Sequence, residues 1–343
     1  MTRTAPELGL LFALLFAAGA AAPAQAPPPA PTAPPAPITP TAPGSARPAA
    51  AAGATAKTPT WEEEVAAWKQ NRYERLQKPD GWLTLVGLGW LKPGDNSIGS
   101  DPKSAVVLPA GKAPSQLGTL RLAGSGKALT VTFLAAKGVA VTHQGVPVET
   151  LALISDADAP ADAGPTVLEH GSLSFFVIRR GDRLGVRVKD SAAAALKAFH
   201  GLDYYPLDRK WKLEGRFEAA AEVKEIPIPN ALGFDEPILS PGHVVFTLDG
   251  QEHRLLALDD TGDGRLFLVF GDRTNGKETY GGGRFLYTDP PQGGRVVLDF
   301  NRAYNPPCVF TPYATCPLPP RENRLPFRIE AGEKSFAGHD AQP

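Results

Sequence analysis

Two apolar runs separated by a short polar turn indicate the fold. Residues 173–188 read LSFFVIRRGDRLGVRV, with Gly181 and Asp182 at the centre of the turn. Short apolar runs of this kind, bounded by Gly or Asp, are typical of β-strands. The segment therefore predicts two neighbouring strands, 173–179 and 184–188.

Similar segments recur at intervals of about ten residues, which favours a sandwich or a barrel. A short helical patch at 191–200 divides them into two sets, and the scarcity of helix disfavours parallel sheets with crossover helices. We therefore predict a mainly β fold with two mostly antiparallel lobes joined near residues 190–210. The other predicted strands are 82–86, 105–108, 119–122, 129–133 and 139–142 in the first lobe, and 211–217, 222–227, 243–248, 253–257, 266–270, 284–287, 295–300 and 325–330 in the second.

An amphipathic helix precedes the strands. Thr60 and Glu63 have the spacing of a capping box, in which each residue binds a backbone N–H of the other. Trp61, Val65, Trp68 and Leu76 recur at helical spacing, so the helix is expected to lie on the β lobes with one apolar stripe.

The first residues have the pattern of an export signal. Residues 8–18 read LGLLFALLFAA, which is too short to cross a hydrocarbon core of about 30 Å, and an A-x-A pattern ends at Ala26. Residues 27–57 are nearly all Pro, Ala and Thr, a composition typical of a disordered tether. We predict an exported, periplasmic or secreted, soluble protein without a transmembrane segment in the mature chain. The predicted parts are a signal peptide at 1–26, a tether at 27–57, the helix and first lobe at 58–200, the second lobe at 201–336 and a disordered tail at 337–343.

Charge and composition exclude several classes of function. The 35 Lys and Arg residues nearly balance the 36 Asp and Glu residues, for a formal net charge of −1. A nucleic-acid partner is not expected, because such proteins need a clustered basic surface. No zinc-ligand spacing or phosphate loop occurs, and Asp259–Gly264 matches only the start of a calcium loop. The sequence predicts no metal and no cofactor, and it indicates no oligomeric state.

The densest set of polar residues lies near the carboxyl end, where three glycines at 281–283 precede a predicted strand. If strands 284–287 and 295–300 pair in one of two registers, Arg284 faces Asp299. Such a set suits a small polar ligand, and it equally suits a buried structural network. The candidate ligand-binding residues are Glu278, Tyr280, Arg284, Asp299, Asn301, Arg302, Tyr304 and Asn305.

Three stretches of this region carry a resemblance to a known family. They read ETYGGGRFLY at 278–287, LDFNRAYNPPC at 298–308 and CPLPP at 316–320. Together with WEE at 61–63 and DGWL at 80–83, they resemble domain-of-unknown-function family 1684 over about residues 58–336. The resemblance implies no reaction and no catalytic residue.

Cys308 and Cys316 bracket a proline-stiffened loop. In an oxidising compartment the expected state is a disulfide, which would contribute about 2.5 kcal/mol in the chain-entropy model. Free buried thiols and a reactive or metal-binding pair are the alternatives, although the C-x7-C spacing fits neither redox nor zinc motifs.

The first lobe has a weaker resemblance to the forkhead-associated sandwich. It rests on DNSIGSDPKSAVVL at 95–108 and GVAVTHQGVPV at 138–148. Modules of that fold typically read phosphothreonine with an Arg after the glycine, whereas Ser100 follows Gly99 here. The resemblance therefore implies the fold without the phosphate clamp.

Two classes of function remain open. The first is a non-catalytic binding or assembly module of the cell envelope, with a pocket for a small polar ligand in the second lobe. The second is a hydrolase of a small envelope metabolite, with Glu278 or Asp299 as acid or base and Arg284 or Arg302 as anion anchor.

Overall fold

The computed structural model describes residues 57–160, 163–336 and 338. The predicted signal peptide, the tether up to residue 56 and nearly all of the predicted tail lie outside the described residues. Within these residues the α-helices are α1 (Trp61–Gln77) and α2 (Ala194–Ala198). The strands are β1 (Leu85–Trp90), β2 (Gly94–Gly99), β3 (Val106–Val107), β4 (Gly118–Ala123), β5 (Thr130–Ala135), β6 (Thr142–His143), β7 (Val146–Pro147), β8 (Thr150–Leu153), β9 (Val167–His170), β10 (Leu173–Arg180), β11 (Arg183–Asp190), β12 (Lys212–Pro229), β13 (Asp235–Leu248), β14 (Gln251–Asp259), β15 (Leu266–Phe270), β16 (Arg284–Thr288) and β17 (Arg295–Asp299).

Helix α1 begins at the predicted capping box. The Glu63 amide donates to the Thr60 hydroxyl at 3.3 Å, and the Thr60 amide donates to the Glu63 carboxylate at 2.7 Å. Of the predicted apolar stripe, Trp61, Val65 and Leu76 are buried and Trp68 is partly buried. The Trp61 indole N–H donates to Asp299 at 2.7 Å and thereby fixes the start of the helix to the end of β17.

The first two sheets form a sandwich. One has the strand order β1-β11-β10-β9-β6-β7, and the other has the order β3-β2-β4-β5-β8. Their facing side chains form one core, in which the rings of Phe133 and Phe175 meet edge to face at 5.8 Å. Among the described strands only β2 and β3 pair in parallel, so the mostly antiparallel fold is confirmed.

The third sheet curls into a half-barrel with the strand order β16-β15-β14-β13-β12-β17. Strands β16 and β17 therefore lie at opposite edges and do not form a hairpin. The edge is closed by Phe285 and Tyr304, which exchange two backbone hydrogen bonds of 2.9 Å. This bridge joins β16 to the segment that follows β17.

Strand β15 shows why the half-barrel has two apolar faces. All five residues of LFLVF are buried, since Leu266, Leu268 and Phe270 face one core and Phe267 and Val269 face another. A strand covered on both sides is expected to be continuously apolar rather than alternating. The second of these cores continues into the cavity described below.

Five predicted elements differ from the structure. Predicted strands 211–217 and 222–227 belong to the single strand β12, which has a bulge between Ala219 and Lys224. Residues 139–142 contribute only Thr142 to a strand, and the helical patch is limited to α2. Residues 325–330 form no strand. Their backbone hydrogen bonds join Leu325 to Gly271 and Phe327 to Arg273, and these two partners lie in a loop. The predicted lobe boundary at residue 200 lies between β11 and β12 and stays a prediction.

Gly283 is the member of the glycine triplet that the backbone requires. Its φ is +91°, and a Cβ there would overlap Pro319 and lie 2.7 Å from the Phe270 carbonyl oxygen. Glycine is therefore required at this position because Pro319 and the Phe270 carbonyl of the same chain pack directly against its Cα.

Arg284 starts β16 and is completely buried. Its guanidinium forms an ion pair of 2.5 Å with Asp272, whose side chain is also 0% exposed. It donates as well to the carbonyl oxygens of Ile329, at 2.9 Å, and Ala331. The pair thus ties the edge strand to a C-terminal segment that has no strand pairing of its own.

We expect Arg284→Met to lower the free energy of unfolding by about 3–5 kcal/mol, because it leaves Asp272 charged and without its cation in the interior. Urea denaturation measures this loss. The matched control is Arg121→Met, which removes an exposed ion pair with Asp95 and should cost far less stability, because water and salt screen such a pair. Equal losses in the two variants would contradict a structural role for Arg284.

Candidate ligand-binding site

A cavity of about 990 Å³ opens between helix α1, strands β10 to β16 and the segment 302–317. Its volume lies at the upper end of the range for small-molecule sites, about 300–1,000 Å³. Strands β10 and β11 contribute Arg180 and Arg187 to its lining. The cavity therefore extends beyond the predicted second lobe, residues 201–336, in which the sequence placed the pocket.

One wall of the cavity is aromatic. Phe267 stacks on Tyr287 with ring centroids 4.8 Å apart, and Phe285 meets the edge of Phe267 at 4.9 Å. Tyr304 meets Phe285 at 5.8 Å and is held beside it by the backbone bridge. All four side chains line the cavity, and they belong to the core that covers one face of the half-barrel.

Arg187 lies at another part of the lining and is 6% exposed. Its guanidinium donates to the hydroxyl of Thr315 at 3.0 Å and lies over the ring of Trp82 at 5.2 Å. Its Nε has no hydrogen-bond partner among the described residues. Burial, together with the neighbouring Arg180, lowers the pKa of Arg187 to about 10, so the group remains cationic at neutral pH.

Arg180 lies next to Arg187 and has carboxylate partners. It pairs with Asp156 at 2.8 Å and with Glu236 at 3.2 Å, and it donates to the same Thr315 hydroxyl at 3.2 Å. Burial raises the pKa of Glu236 although Arg180 opposes the shift. The two carboxylates thus compensate Arg180, whereas no ion pair joins Arg187 to a carboxylate within the described ranges.

Of the eight candidate residues from the sequence, Arg302 and Tyr304 line the cavity. Arg302 lies 3.2 Å from Glu64 of helix α1 and 3.5 Å from Asp299. Tyr304 has the guanidinium of Arg72 over its ring at 4.7 Å, and burial raises its pKa above the ordinary value.

The other candidates make structural contacts outside the cavity lining. Glu278 accepts from the Tyr205 hydroxyl at 2.7 Å and pairs with Arg328, and these two contacts lower its pKa. Tyr280 contacts Cys308 through a side-chain hydrogen bond. Arg284 pairs with Asp272, so the predicted alternative in which it faces Asp299 is wrong.

Asp299, Asn301 and Asn305 also hold the chain together. Asp299 accepts from Trp61 and from the Asn301 amide group, the latter at 3.0 Å. Asn301 in turn donates to the Asp208 carbonyl at 3.0 Å. The Asn305 backbone amide donates to buried Glu333 at 2.8 Å.

The predicted disulfide is not present in the structure. Cys308 and Cys316 are buried free thiols, and the Cys308 amide donates to the Cys316 sulfur at 3.1 Å. The loop is held instead by hydrogen bonds to the rest of the chain. The Thr311 hydroxyl donates to the Leu85 carbonyl at 2.8 Å, and the Ala231 amide donates to the Cys316 carbonyl at 2.9 Å.

The residues that distinguish the cavity chemically were not among the sequence candidates. Arg187 stands between Val186 and Val188 in a strand whose central residues are all buried. A lone Arg inside such an apolar run is the signal that could have identified it, since buried arginines need a partner.

In the described residues, no cluster of three or more His, Cys, Asp or Glu side chains has a geometry that could hold a metal ion. The two described helices also lack the combination of length and apolar character needed to cross a membrane.

Comparisons with known proteins place the chain in a family. No curated protein matches it. An uncharacterized protein of Haloarcula marismortui, whose structure was determined by NMR in solution, is 30% identical over 40% of this chain and 78% of that chain, with a TM-score of 0.35. The model of the family described as "Protein of unknown function (DUF1684)" matches residues 197–334, which include the glycine triplet and both cysteines. The chain therefore belongs to this family.

Proposed function

We propose that this protein is a binding module that holds a small organic anion in the cavity between α1 and the half-barrel. The anionic group would lie on Arg187, and the organic body would lie along the aromatic wall. This is a more specific form of the polar-ligand module expected from the sequence.

The observation that carries the proposal is that Arg187 is buried without a carboxylate in direct contact, since Asp156 and Glu236 pair with Arg180 and act on Arg187 only at longer range. A cation removed from water is costly unless an anion and hydrogen bonds compensate it. Thr315 supplies one hydrogen bond, and the Trp82 ring supplies a cation–π contact. A ligand carboxylate or phosphate would add the missing charge partner through the planar guanidinium.

The shape of the cavity supports an organic ligand rather than a bare ion. Sites for small molecules combine mostly apolar walls with a few polar groups that fix the orientation. Here Phe267, Phe285 and Tyr304 supply ring surface, while Arg187 and Thr315 supply the polar end.

The hydrolase alternative depended on Glu278 or Asp299 as acid or base. Glu278 is engaged by Tyr205 and Arg328, and Asp299 by Trp61 and Asn301, outside the cavity lining. A general acid or base must lie within reach of the reacting group of a bound substrate. The geometry therefore supports binding better than this hydrolysis.

We expect Arg187→Met to weaken the binding of an organic acid by roughly 10- to 100-fold, because a hydrogen bond to a charged group contributes about 1.5–3 kcal/mol. Isothermal titration calorimetry against a panel of carboxylates and phosphate monoesters measures this change. Arg121→Met, which alters an exposed pair on the sandwich, should leave the affinity unchanged. Failure of every acid to bind wild-type protein would overturn the proposal.

We further propose that the protein acts in the cell envelope. The apolar run 8–18 and the A-x-A pattern ending at Ala26 support export, and the Pro-rich segment would space the folded part from a membrane or wall.

In a Gram-negative host, we expect the full-length chain to reach the periplasm in a form that has lost residues 1–26. Leu14→Arg should abolish export because it places a charge within the apolar run. Ala36→Arg, in the tether, is the matched control and should be exported normally. Cell fractionation and mass spectrometry of the N-terminus read out both variants, and an intact N-terminus in cytoplasmic wild-type protein would refute export.

A further inference from the structure

The part of the cavity that would face the organic body of a ligand consists largely of aromatic rings. Phe267 and Phe285 are 4% and 6% exposed, as core residues are. Tyr287 and Tyr304 are only partly buried and line the cavity. Packing of the core accounts for the two phenylalanines, but it does not require ring surface on the cavity side.

The two tyrosine rings have a common orientation. Their planes are inclined by only 12°, with centroids 6.5 Å apart, and Phe285 is nearly perpendicular to Tyr304 at 89°. Tyr287 is in turn within 20° of parallel to Phe267. The exposed ring surface is therefore ordered by contacts within the wall rather than being a set of independent side chains.

Planar cations accompany the rings around the same cavity. Arg72 lies over Tyr304 at 4.7 Å, and Arg265 lies over Tyr287 at 4.9 Å. Arg187 lies over Trp82, which belongs to the same apolar cluster as Tyr304 and Tyr287. The lining of this one cavity thus combines flat rings and flat guanidinium groups with several carboxylates, among them Asp260, which accepts from the Tyr287 hydroxyl.

Such a lining discriminates between flat and puckered ligands. Aromatic pairs gain about 0.5–1.5 kcal/mol beyond the burial of their area, and guanidinium groups stack on ring faces. A saturated ring or an acyl chain of the same size gains only the burial and dispersion terms.

We infer that the ligand is an aromatic acid, with its carboxylate or phosphate on Arg187 and its ring on the wall formed by Tyr287 and Tyr304. This inference rests on the proposed function and adds the chemical class of the organic body. The carboxylate and the phosphate share the anion chemistry, and the experiment separates them.

Calorimetry with three probes tests the inference. Naphthoate and decalin carboxylate have the same charge and number of carbon atoms but differ in flatness, and naphthyl phosphate replaces the carboxylate. We expect naphthoate to bind about 3- to 10-fold more tightly than decalin carboxylate, as stacking predicts. The stronger of the two naphthyl acids identifies the preferred anionic group.

Variants of Tyr287 assign the preference to the wall. Tyr287→Leu should reduce the ratio of the naphthoate and decalin carboxylate affinities towards one, whereas Tyr287→Phe, which keeps the ring, should preserve it. If Tyr287→Leu does not fold, Tyr304→Leu and Tyr304→Phe provide the same comparison.

The outcomes separate the two proposals. Equal affinities of the flat and saturated acids for wild-type protein would overturn the aromatic class while leaving the anion site intact. An unchanged ratio in folded Tyr287→Leu and Tyr304→Leu would also overturn it. No binding of any of the three acids, while another organic acid of the wider panel binds, would likewise overturn only the aromatic class, whereas failure of the whole panel would refute the proposed function itself.

Discussion

The architecture of the site depends on the closure of the third sheet by Phe285 and Tyr304. An edge strand exposes unpaired backbone groups, and β16 would be such an edge without the two bonds to Tyr304. The same bridge places the Tyr304 ring beside the ring of Phe285, and so it completes the aromatic wall. A backbone constraint that closes the half-barrel therefore also builds the cavity.

Side-chain hydrogen bonds supplement the backbone pairing where two neighbouring strands of the third sheet pair at a single position. Strands β14 and β15 pair only at Leu258 and Phe267. Buried Asn323 compensates, because its amide group accepts from the Leu256 N–H at 2.7 Å and donates to the Leu256 and Val269 carbonyls at 3.0 and 2.9 Å. Each bond satisfies a buried polar group that would otherwise cost free energy.

The local part of the fold could be predicted from the sequence, and the long-range part could not. The capping box at Thr60 and the periodicity of two are encoded within a few residues, so α1 and most strands were found. Strand order is set by contacts between distant residues, which is why the sequence left the partner of Arg284 open between two registers and did not indicate Asp272. The site candidates were chosen because they are close in sequence, whereas Arg187 lies more than one hundred residues before Thr315.

Three arginines, of which Arg284 and Arg187 are buried and Arg72 is partly buried, show what is unusual about the cavity. Arg284 has the carboxylate of Asp272, and Arg72 has that of Glu333 at 2.9 Å. Both also donate to backbone carbonyls, so the fold itself provides their charge partner and part of their hydrogen bonding. Arg187 is buried to a similar degree, yet it has a neutral hydroxyl and a ring face. The fold supplies a direct carboxylate partner to the first two cations, whereas Arg187 faces the cavity with Asp156 and Glu236 acting on it only at longer range, and this difference is the basis of the proposed anionic ligand.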